Sequence, residues 1–587
     1  MMLPTARLKA NQDTYYVPDF EGGIYFRNHR HSFRMQGSNV YQWMEKLIPM
    51  FDGTHTMHAI TKGLPDTHQQ RIYEFSNLLL QEGFVRDVSK DKPHSLSEKI
   101  IKRYQSQIDY LDHHVGSGAY HFEKYRHENL LVIGHGSFLT SLISSLIESG
   151  LQKIALFLTD KSNTNLERIN YLETDSSVNI TDITPSEIQP WSKMIQPYGS
   201  VLFAGKETDT EQIINLATLC KQENKHFIPA VTYQNTGMVG PIIDWESAWR
   251  RLAKTTDHSN KEINPTAISI LANLLAFRWF QLVNGVMPVE KRQVFLLDMQ
   301  TLEGKWHSFF SHPLLHKANK TIKPLASTEW LSPSPIINVQ SVFTHITSEA
   351  TGIFRSFGPE NLLQLPLSQC LVKIADPLEQ EKTISIICSA LTHLEARHEA
   401  GLRGLEAYAS RLFPEIAHDL KEKAAIGAGA TRQEAICRAF LKYLEAGLKN
   451  IPTDPQTMQM EGEQSKYFVE CISLLGTKPT LYIEDHNYGF PIGWVEANDS
   501  WFGSVGLHTE MALQAALHKA LHIIQNKSID HLLLQHIPLE STENSLEIIT
   551  RHLKLQNKYL QVFDIKLEDI ISQNLSVVAV TIREDIS

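Results

Sequence analysis

The sequence predicts a multidomain protein that combines α/β and α+β domains. Three observations support this fold class. The chain has 587 residues, which corresponds to about four domains of average size. Its middle segment alternates continuous apolar strands with helices, which is typical of a doubly wound sheet. The segments on either side mix short strands and helices in a less regular order.

Residues 1–95 predict a winged-helix domain. Short strands separated by polar breaks are expected at Tyr15–Val17, Gly23–Arg27 and Ser32–Gln36. Helices are then expected at 40–50, 56–62 and 66–82. Asp52-Gly53 predicts a turn between the first two helices, and Phe84-Val85 starts the strand of the wing. The charged run from Lys90 to Arg103 is interpreted as a linker to the next domain.

Residues 128–320 predict a doubly wound α/β domain of the Rossmann type. The apolar run Leu130–Ile133 is followed by Gly134-His135-Gly136-Ser137, by a helix closed at Gly150 and by a second apolar strand, which together form a β-α-β unit. The alternation continues in strands at Val201–Ala204, His226–Val231 and Val294–Asp298. Asn264 followed by Pro265 predicts the start of a helix that is apolar nearly all round and is therefore expected to be buried.

Residues 338–587 predict a domain of the α+β class. Helical patterns cover Leu394–Leu412 and Thr431–Leu448. Strand patterns cover Leu481–Ile483 and Val577–Ile582. Segment 321–337, which is rich in proline and serine, is interpreted as the linker before this domain.

Composition excludes several classes of function. The chain carries 55 Lys and Arg against 65 Asp and Glu, a formal net charge of −10. Strong nucleic-acid binding and membrane-surface binding both need a basic surface, so neither partner is expected. No two of the five cysteines form a C-x-x-C pair, which argues against a thiolate zinc site and a redox dithiol. The sparse cysteines and the lack of an apolar leader predict a cytoplasmic protein.

A glycine pair follows the first strand of the middle domain. Gly134-x-Gly136 matches the start of a nucleotide fingerprint, in which the backbone approaches a phosphate at a helix N-terminus. The full G-x-G-x-x-G pattern would need a third glycine at Leu139. Two interpretations therefore stay open, a nucleotide site and the packing of a tight turn.

Longer stretches of the middle domain resemble a known family. The stretches LLVIGHGSFLTSLISSLIESGLQKIALF, TNLERINYL and NKHFIPAVTYQNTGMVGP are similar to the ThiF family, the adenylating relatives of ubiquitin-activating enzymes. The resemblance implies that Arg168 corresponds to an arginine that contacts ATP phosphates, and it suggests a homodimer through this domain. Where the family has a magnesium-binding aspartate, this chain has Ala204-Gly205-Lys206-Glu207. Gly134, Gly136 and Arg168 are therefore predicted to form only a vestigial cofactor site.

The stretches YQWMEKLIPMFDGTHTMHAITKGL and FSNLLLQEGFVRD of the N-terminal segment resemble the PqqD-like peptide-recognition domains of ribosomal-peptide maturation enzymes. The resemblance implies that a leader peptide adds a strand beside the third strand and lies against the third helix, which is β-augmentation. The implied leader-binding residues are Ser32, Phe33, Arg34, Met35, Gln36, Gln70, Tyr73, Glu74, Asn77 and Leu78. Tyr73 and Leu78 have an alternative interpretation as core residues.

A winged helix is also compatible with DNA binding. The third helix and its end, Asp66 to Glu82, carry one arginine and three acids. A helix with a net negative charge repels phosphates, so no nucleic-acid partner is expected.

The C-terminal segment resembles the YcaO family, the ATP-dependent cyclodehydratases that make azolines. The resemblance runs through LTHLEARHEAGLRGLEAY, GAGATRQEAICRAFLKYL, PIGWV and GSVGLHTEMALQAALHKAL. Family members hold magnesium and ATP through glutamates, because Mg²⁺ prefers carboxylate ligands. The family pattern S-x-x-x-E-x-x-E-R falls on Glu399, Arg403, Glu406 and Ala407, where only Glu406 survives, and Lys519 replaces a later glutamate. The resemblance therefore implies a YcaO-like domain with no catalytic residue, no bound metal and no bound ATP.

The chain contains 27 histidines, which are potential metal ligands. His518 and His522 are four residues apart on a predicted helix, but Lys519 stands where an H-E-x-x-H motif needs glutamate. The pairs His29/His31 and His113/His114 are interpreted as solvated or core histidines. No metal site is predicted.

The order of the three segments resembles the ThiF-like maturation proteins of thiazole-containing bacteriocin clusters. It implies a non-catalytic protein that binds the leader of a precursor peptide and presents the precursor to a separate YcaO cyclodehydratase. Two alternatives stay open. One is a divergent ATP-dependent adenylating or cyclodehydrating enzyme, which would need ATP and magnesium. The other is a DNA-binding regulator that uses the winged helix.

Overall fold

The computed structural model describes residues 3–29, 31–160, 164–165, 167–169, 171, 179–182, 190–254, 264–287, 292–315, 322–331, 338–417, 424–460, 462–486, 488–526 and 545–584. Its contacts divide the chain into two compact units. The first unit comprises Met1–Ile243, Lys261–Lys291 and Phe295–Lys305, and the second comprises Asp244–Asn260, Arg292–Val294 and Trp306–Ser587. The predicted domain ranges 1–95, 128–320 and 338–587 are finer than this division and stay predictions.

Helices of the described residues are numbered in chain order. They are α1 (Val40–Leu47), α2 (Met57–Thr61), α3 (Asp66–Gln81), α4 (Glu98–Arg103), α5 (Gln105–Val115), α6 (Gly118–Arg126), α7 (Gly136–Glu148), α8 (Trp191–Ile195), α9 (Thr210–Gln222), α10 (Trp245–Arg251), α11 (Pro265–Val283), α12 (Val339–His345), α13 (His393–Ile416), α14 (Arg432–Glu445), α15 (Glu463–Leu475), α16 (Thr509–Gln525), α17 (Ser545–Leu555) and α18 (Asp569–Asn574).

Strands of the described residues are numbered in the same way. They are β1 (Arg7–Ala10), β2 (Tyr15–Pro18), β3 (Gly23–Arg27), β4 (Ser32–Gln36), β5 (Asp52–Thr56), β6 (Val85–Asp87), β7 (Leu130–His135), β8 (Lys153–Asp160), β9 (Asn179–Asp182), β10 (Ser200–Lys206), β11 (His226–Tyr233), β12 (Thr236–Val239), β13 (Gln293–Asp298), β14 (Gly304–Ser308), β15 (Ile322–Leu325), β16 (Phe354–Gly358), β17 (Ser368–Ala375), β18 (Thr383–Ala390), β19 (Ala425–Gly429), β20 (Gln456–Thr457), β21 (Thr480–Asp485), β22 (Pro491–Ala497), β23 (Ser500–Val505), β24 (Lys558–Ile565) and β25 (Ser576–Glu584).

The N-terminal part of the first unit contains two small antiparallel sheets, ordered β2-β3-β4 and β5-β1-β6. The three predicted strands and three predicted helices are all present. Alternating side chains of these strands and one face of each helix close a common core around Phe26, Met44, Leu79 and Phe84. This packing fixes β4 on the outside of its sheet.

One turn prediction in this part is wrong. Asp52-Gly53 lies at the start of β5, where Asp52 pairs with Lys9 and Thr56 pairs with Arg7. The register shifts between these two pairs, so the turn-forming residues make an irregularity within a strand. Gly53 has φ +84°, which explains why a glycine occupies that position.

The predicted linker between 90 and 103 is partly helical. Its last six residues form α4, and α5 and α6 follow directly. The apolar face of α5 buries Ile108 and Leu111 in the core of the first unit. A salt bridge of 2.7 Å between Arg86 and Asp112 ties α5 to the N-terminal sheets.

The middle of the chain builds an eight-stranded sheet in the order β14-β13-β12-β11-β10-β7-β8-β9. Strands β7 to β11 run parallel, with β7 in the centre, and β12 and β13 add antiparallel pairs at one side. The chain leaves β7 toward β8 and β9 and then returns to β10 and β11. This reversal is the topological switch point of a doubly wound sheet.

Helix α11 begins as predicted, because the Asn264 side chain accepts a hydrogen bond from the Thr266 N–H at 3.0 Å. By length and composition alone α11 could cross a membrane, but half of its most apolar window is buried inside the protein. Leu271, Leu275 and Trp279 pack into the core, whereas Phe277 is 44% exposed. The helix is therefore a core helix with one outward face, which corrects the expectation that it is buried all round.

The described residues of the second unit form three sheets, ordered β15-β24-β25-β19, β16-β17-β18 and β20-β21-β22-β23. Helix α13 packs on β17 and β18, α14 on β19 and β25, and α16 on β22 and β23. The predicted linker 321–337 is wrong in its first part, because Ile322–Leu325 forms β15 and pairs with β24. Residues 332–337 of that prediction lie outside the described residues.

Candidate functional site

The outer strand of the N-terminal sheet exposes one row of backbone groups. The N–H of Asn28 donates to the carbonyl of His31 at 3.0 Å and closes the β3–β4 hairpin. Hydrogen-bonded pairs alternate along an antiparallel ladder, so Phe33 and Met35 exchange bonds with β3. The N–H and C=O groups of Ser32, Arg34 and Gln36 therefore point away from β3. Within the described part of the chain, no other strand pairs with this edge.

Helix α3 runs beside this edge in the opposite direction. At one end, Nε2 of His31 lies 3.0 Å from Oε2 of Glu82. At the other end, a Cβ added to Gly37 would lie 4.0 Å from Nη2 of Arg71. The open row of β4 and the outward face of α3 thus border one elongated surface, which is called the β4–α3 edge below.

The ten residues predicted to bind a leader peptide divide into three groups: exposed residues, half-buried residues on α3, and residues of β4 that turn into the core. Ser32, Arg34, Gln36, Gln70 and Glu74 are exposed. Tyr73, Asn77 and Leu78 are half-buried beside the core.

Phe33 and Met35 turn inward, and the Phe33 ring stacks on Phe26 with centroids 5.0 Å apart. The side chains of Phe33 and Met35 therefore serve the core. Only their neighbours in the strand present outward groups.

A buried ion network lies in the second unit, between α13 and α14. Glu399 accepts from Arg403 at 2.9 Å and from Arg438 at 2.7 and 2.8 Å. Glu406 accepts from Arg403 at 3.0 Å, from Arg438 at 2.8 Å and from Lys442 at 3.1 Å. A backbone N–H of β19 completes the shell of Glu406 at 3.1 Å. All four carboxylate oxygens therefore already accept hydrogen bonds from the protein.

The electrostatics of this network oppose a bound metal. Burial by itself raises the pKa of Glu406, but Arg438, Lys442 and Arg403 outweigh it and hold that pKa well below its usual range. The same balance lowers the pKa of Glu399. Two carboxylates thus face three cations, and the excess positive charge repels Mg²⁺. At the positions where the YcaO resemblance implies metal-binding glutamates, the side chains of this chain form ion pairs with one another.

Two other positions of the predicted YcaO site also lack a metal ligand. Ala407 has no ligating atom, and it lies on α13 beside the network. Lys519, which replaces a predicted glutamate, donates to the carbonyl of Gly503 at 2.8 Å. The hydrogen bond from this lysine therefore links α16 to the backbone of β23. Sequence reasoning found Glu399, Arg403 and Glu406 but missed Arg438 and Lys442.

A cavity of about 350 Å³ lies at the switch point of the eight-stranded sheet. It is lined by His135, Gly136, Ser137, Phe138, Gly205, Lys206, Thr232, Pro265 and Ile268. Lys206 therefore stands in the cavity where the ThiF resemblance implied a carboxylate. Arg168 is exposed and is not among the described residues that line the cavity.

The two glycines of the fingerprint have different roles. A Cβ at Gly134 would lie 2.3 Å from the carbonyl oxygen of Ala204, so the close approach of β7 and β10 requires glycine there. Gly136 adopts φ +70° at the start of α7, and its N–H donates to Oγ1 of Thr164 at 3.0 Å. The close packing of β7 on β10 explains why position 134 is a glycine, whereas Gly136 lines the cavity.

His518 and His522 face the same side of α16, as their spacing predicts, and both are buried. Nε2 of His518 lies 3.4 Å from Oγ of Ser389. Neither ring nitrogen of His522 has a hydrogen-bond partner among the described residues. Burial lowers the pKa of His522 to about 4, and it lowers the pKa of His312 to about 3 together with nearby arginines.

Because the pKa values of His312 and His522 are lowered, we expect the stability of the fold to fall in acid. An unfolded histidine has a pKa of about 6.5. Below that pH the unfolded chain therefore binds protons at these histidines that the native state does not bind. Their stabilising contribution is complete above about pH 6.5 and is lost as the pH falls toward the folded pKa values. Each can contribute a slope of up to about 1.4 kcal/mol per pH unit. Urea denaturation between pH 7 and pH 4.5 should show this loss. His522→Leu should flatten the slope without lowering stability at pH 7, and an unchanged slope would contradict the assignment.

Comparison with known proteins supports the fold. No family model and no curated protein matches the sequence. A heterocyclase solved in complex with substrate and cofactor superposes with a TM-score of 0.63 at 11% identity, covering 98% of this chain and 95% of that one. The heterocyclase TruD superposes with a TM-score of 0.59 at 11% identity, covering 98% and 94%. Nearly the whole chain therefore has the fold of these heterocyclases.

A third structure, E. coli MccB with selenomethionine-labelled MccA, aligns with 52% of this chain at a TM-score of only 0.39. The two heterocyclases confirm a mixed α/β multidomain fold and the resemblance to heterocyclases at the level of fold.

Proposed function

We propose that this chain is a non-catalytic scaffold in the maturation of azole- or azoline-containing ribosomal peptides of the bacteriocin class. It binds the leader of the precursor peptide and presents Cys, Ser and Thr residues of that precursor to a separate ATP-dependent YcaO cyclodehydratase. The observation that carries the proposal is the saturation of Glu399 and Glu406 by Arg403, Arg438 and Lys442. These two carboxylates are already paired with three cations of the protein, so they are not available to coordinate Mg²⁺.

The β4–α3 edge supports the peptide-binding part of the proposal. An extended peptide can pair with the outward groups of Ser32, Arg34 and Gln36 and gain main-chain hydrogen bonds. The half-buried side chains of Tyr73 and Leu78 then offer apolar contacts to alternate residues of the peptide. One of the heterocyclases with this fold was solved with its substrate bound.

Arg34→Pro should weaken leader binding about ten-fold or more. The Arg34 N–H points outward, so proline removes a donor from the open edge while leaving the β3 ladder intact. The lost hydrogen bond and the steric bulk of the proline ring should together reduce the binding free energy by more than about 1.4 kcal/mol, which corresponds to a ten-fold loss of affinity. Fluorescence polarisation of a labelled leader peptide, taken from a neighbouring small open reading frame and titrated with the full chain, measures this.

Arg34→Ala is the matched control, because it keeps the N–H while removing the side chain, which is 61% exposed and lies 3.8 Å from Asp19; any contribution of that side chain to binding is lost in both variants. Equal affinities for the proline and alanine variants would contradict strand addition at this edge. Phe33→Pro would be a poorer test, since the Phe33 N–H belongs to the β3 ladder. Azoline formation by this chain alone, with ATP and magnesium, would overturn the non-catalytic role.

The alternative is a divergent ATP-dependent adenylating or cyclodehydrating enzyme. The specific observation in its favour is the switch-point cavity, where His135, Gly136 and Lys206 could meet the phosphates of a nucleotide. Stoichiometric ATP binding that is abolished by Lys206→Glu would support it.

The proposal also places the protein in the cytoplasm. All five cysteines are free and buried, which is compatible with a reducing compartment. A homodimer through the Rossmann-type domain remains part of the proposal, and it is testable by light scattering of the full chain.

A further inference from the structure

Three metal-binding side chains that are far apart in sequence meet on the first unit. Asp13, His29 and His113 each offer one ligand atom, and these atoms lie within 4.8 Å of one another. The rings of His29 and His113 approach edge to face with centroids 4.4 Å apart. Oδ2 of Asp13 is in hydrogen-bond contact with Nδ1 of His29. The cluster is outside the β4–α3 edge and the ion network.

Two of the three side chains stand on tightly held turns. Asp13 lies in a turn that hydrogen bonds anchor to the end of α3, from Asn11 Nδ2 to the Gly83 carbonyl and from Thr14 Oγ1 to the Phe84 carbonyl, both at 2.8 Å. His29 lies in the β3–β4 hairpin, where Asn28 Oδ1 accepts from the His31 N–H at 2.9 Å.

The third side chain stands on a helix that is fixed to the same region. His113 follows Asp112, whose carboxylate pairs with Arg86 at 2.7 Å and with Lys9 at 3.8 Å. Lys9 also pairs with Asp109 one helical turn earlier, at 3.6 Å. Ion pairs to β1 and β6 thus hold α5 against the turns that carry the other two side chains. The protein itself, without any ligand, brings the three together.

The geometry points to a Zn²⁺ site formed by Asp13, His29 and His113. Two imidazoles and one carboxylate suit Zn²⁺, whereas Mg²⁺ and Ca²⁺ prefer oxygen ligands alone. Tetrahedral zinc with bonds of about 2.0–2.2 Å holds its ligand atoms about 3.3 Å apart. In this protein the three ligand atoms lie within 4.8 Å of one another. Asp13 and His29 are exposed, so water completes the fourth position.

The site would act as a clamp between the β3–β4 hairpin and α5. His29 is three positions before the start of β4, and His113 belongs to α5. Bound zinc therefore stabilises the arrangement of these elements. The inference is independent of leader binding, because it rests on ligands outside the β4–α3 edge.

Zinc binding by the full chain tests the proposal. The chain is treated with EDTA, desalted, and titrated with ZnCl₂ in competition with a chromogenic zinc indicator. We expect one tight site in the wild-type chain and a weakening of about ten- to one-hundred-fold or more in His113→Ala, since even outer-shell partners of a metal change affinity by that factor. Asp13→Asn should weaken the same site. Co²⁺ in place of Zn²⁺ should give the intense visible bands of a tetrahedral centre, absent in both variants.

His114→Ala is the matched control. It removes the neighbouring imidazole, whose Nδ1 contacts the Tyr110 carbonyl of its own helix at 2.8 Å, and it should leave the tight site unchanged. Melting temperatures without zinc establish that the variants fold, and zinc should raise the melting temperature only where the site is intact. Equal zinc affinity in the wild type, His113→Ala and Asp13→Asn would overturn the proposal, as would the absence of a tight site in the wild type.

Discussion

Arg438→Met should destabilise the second unit by about 3–5 kcal/mol, the usual cost of removing one partner from a buried ion pair. Arg438 is almost completely buried and donates to both Glu399 and Glu406. Methionine fills much of the space but leaves two buried carboxylates with Arg403 and Lys442 as their remaining cations. The free energy of unfolding, from urea denaturation followed by circular dichroism, measures the loss.

A surface arginine on the same helix as the two glutamates supplies the control. Arg411 pairs with Asp376 at 2.9 Å, but its side chain is 41% exposed. The Asp376 side chain is only 5% exposed, but it keeps the backbone N–H donors of Leu378 and Glu379, and water screens the exposed guanidinium, so Arg411→Met should cost less, about 1 kcal/mol. If both methionine variants lost the same stability, the network would not be a strongly coupled buried cluster. Its charges would then be too weakly coupled to keep Mg²⁺ away from Glu399 and Glu406.

The elements that could be predicted from sequence are those whose pattern is local. Strands β2, β3 and β4 and helix α3 have the expected bounds within a few residues, because side-chain alternation and helical spacing are set within each segment. Strands β5 and β15 were missed because pairing with distant strands creates them. Asp52-Gly53 and the proline-rich 321–337 carry turn and linker chemistry that this long-range pairing overrides.

The candidate sites follow the same rule. Glu399, Arg403 and Glu406 lie on one helix at helical spacing, so a family pattern could find them in the sequence. Arg438 and Lys442 lie on another helix, and only its packing against α13 brings them to the same carboxylates. Asp13, His29 and His113 come from three elements, and no spacing rule connects them. Polar residues on otherwise apolar helix faces, as at Arg438, are the available signal for such clusters.

Arg251→Met should destabilise the second unit by about 3–5 kcal/mol as well, for a related reason. Arg251 ends α10, is 4% exposed, and donates to the carboxylate of Glu568 and to the carbonyls of Phe310 and Ser311, the last at 3.0 Å. Without it, the Tyr408 hydroxyl, at 2.8 Å, is the one donor to the Glu568 carboxylate that remains among the described residues. Urea denaturation again measures the free energy of unfolding.

The neighbouring Arg250→Met is the control, because Arg250 is 44% exposed and pairs with Glu246 one turn earlier, so its loss should cost under about 1 kcal/mol. The double variant Arg251→Met/Glu568→Gln separates charge from packing. Glutamine has no charge that would be left unpaired in the interior. If the unpaired carboxylate causes the loss of stability, the double variant should therefore recover most of that stability. If the double variant loses as much as the sum of its parts, the two residues act independently. Arg251 would then stabilise the fold through its contacts with the carbonyls of Phe310 and Ser311, which lie elsewhere in the same unit.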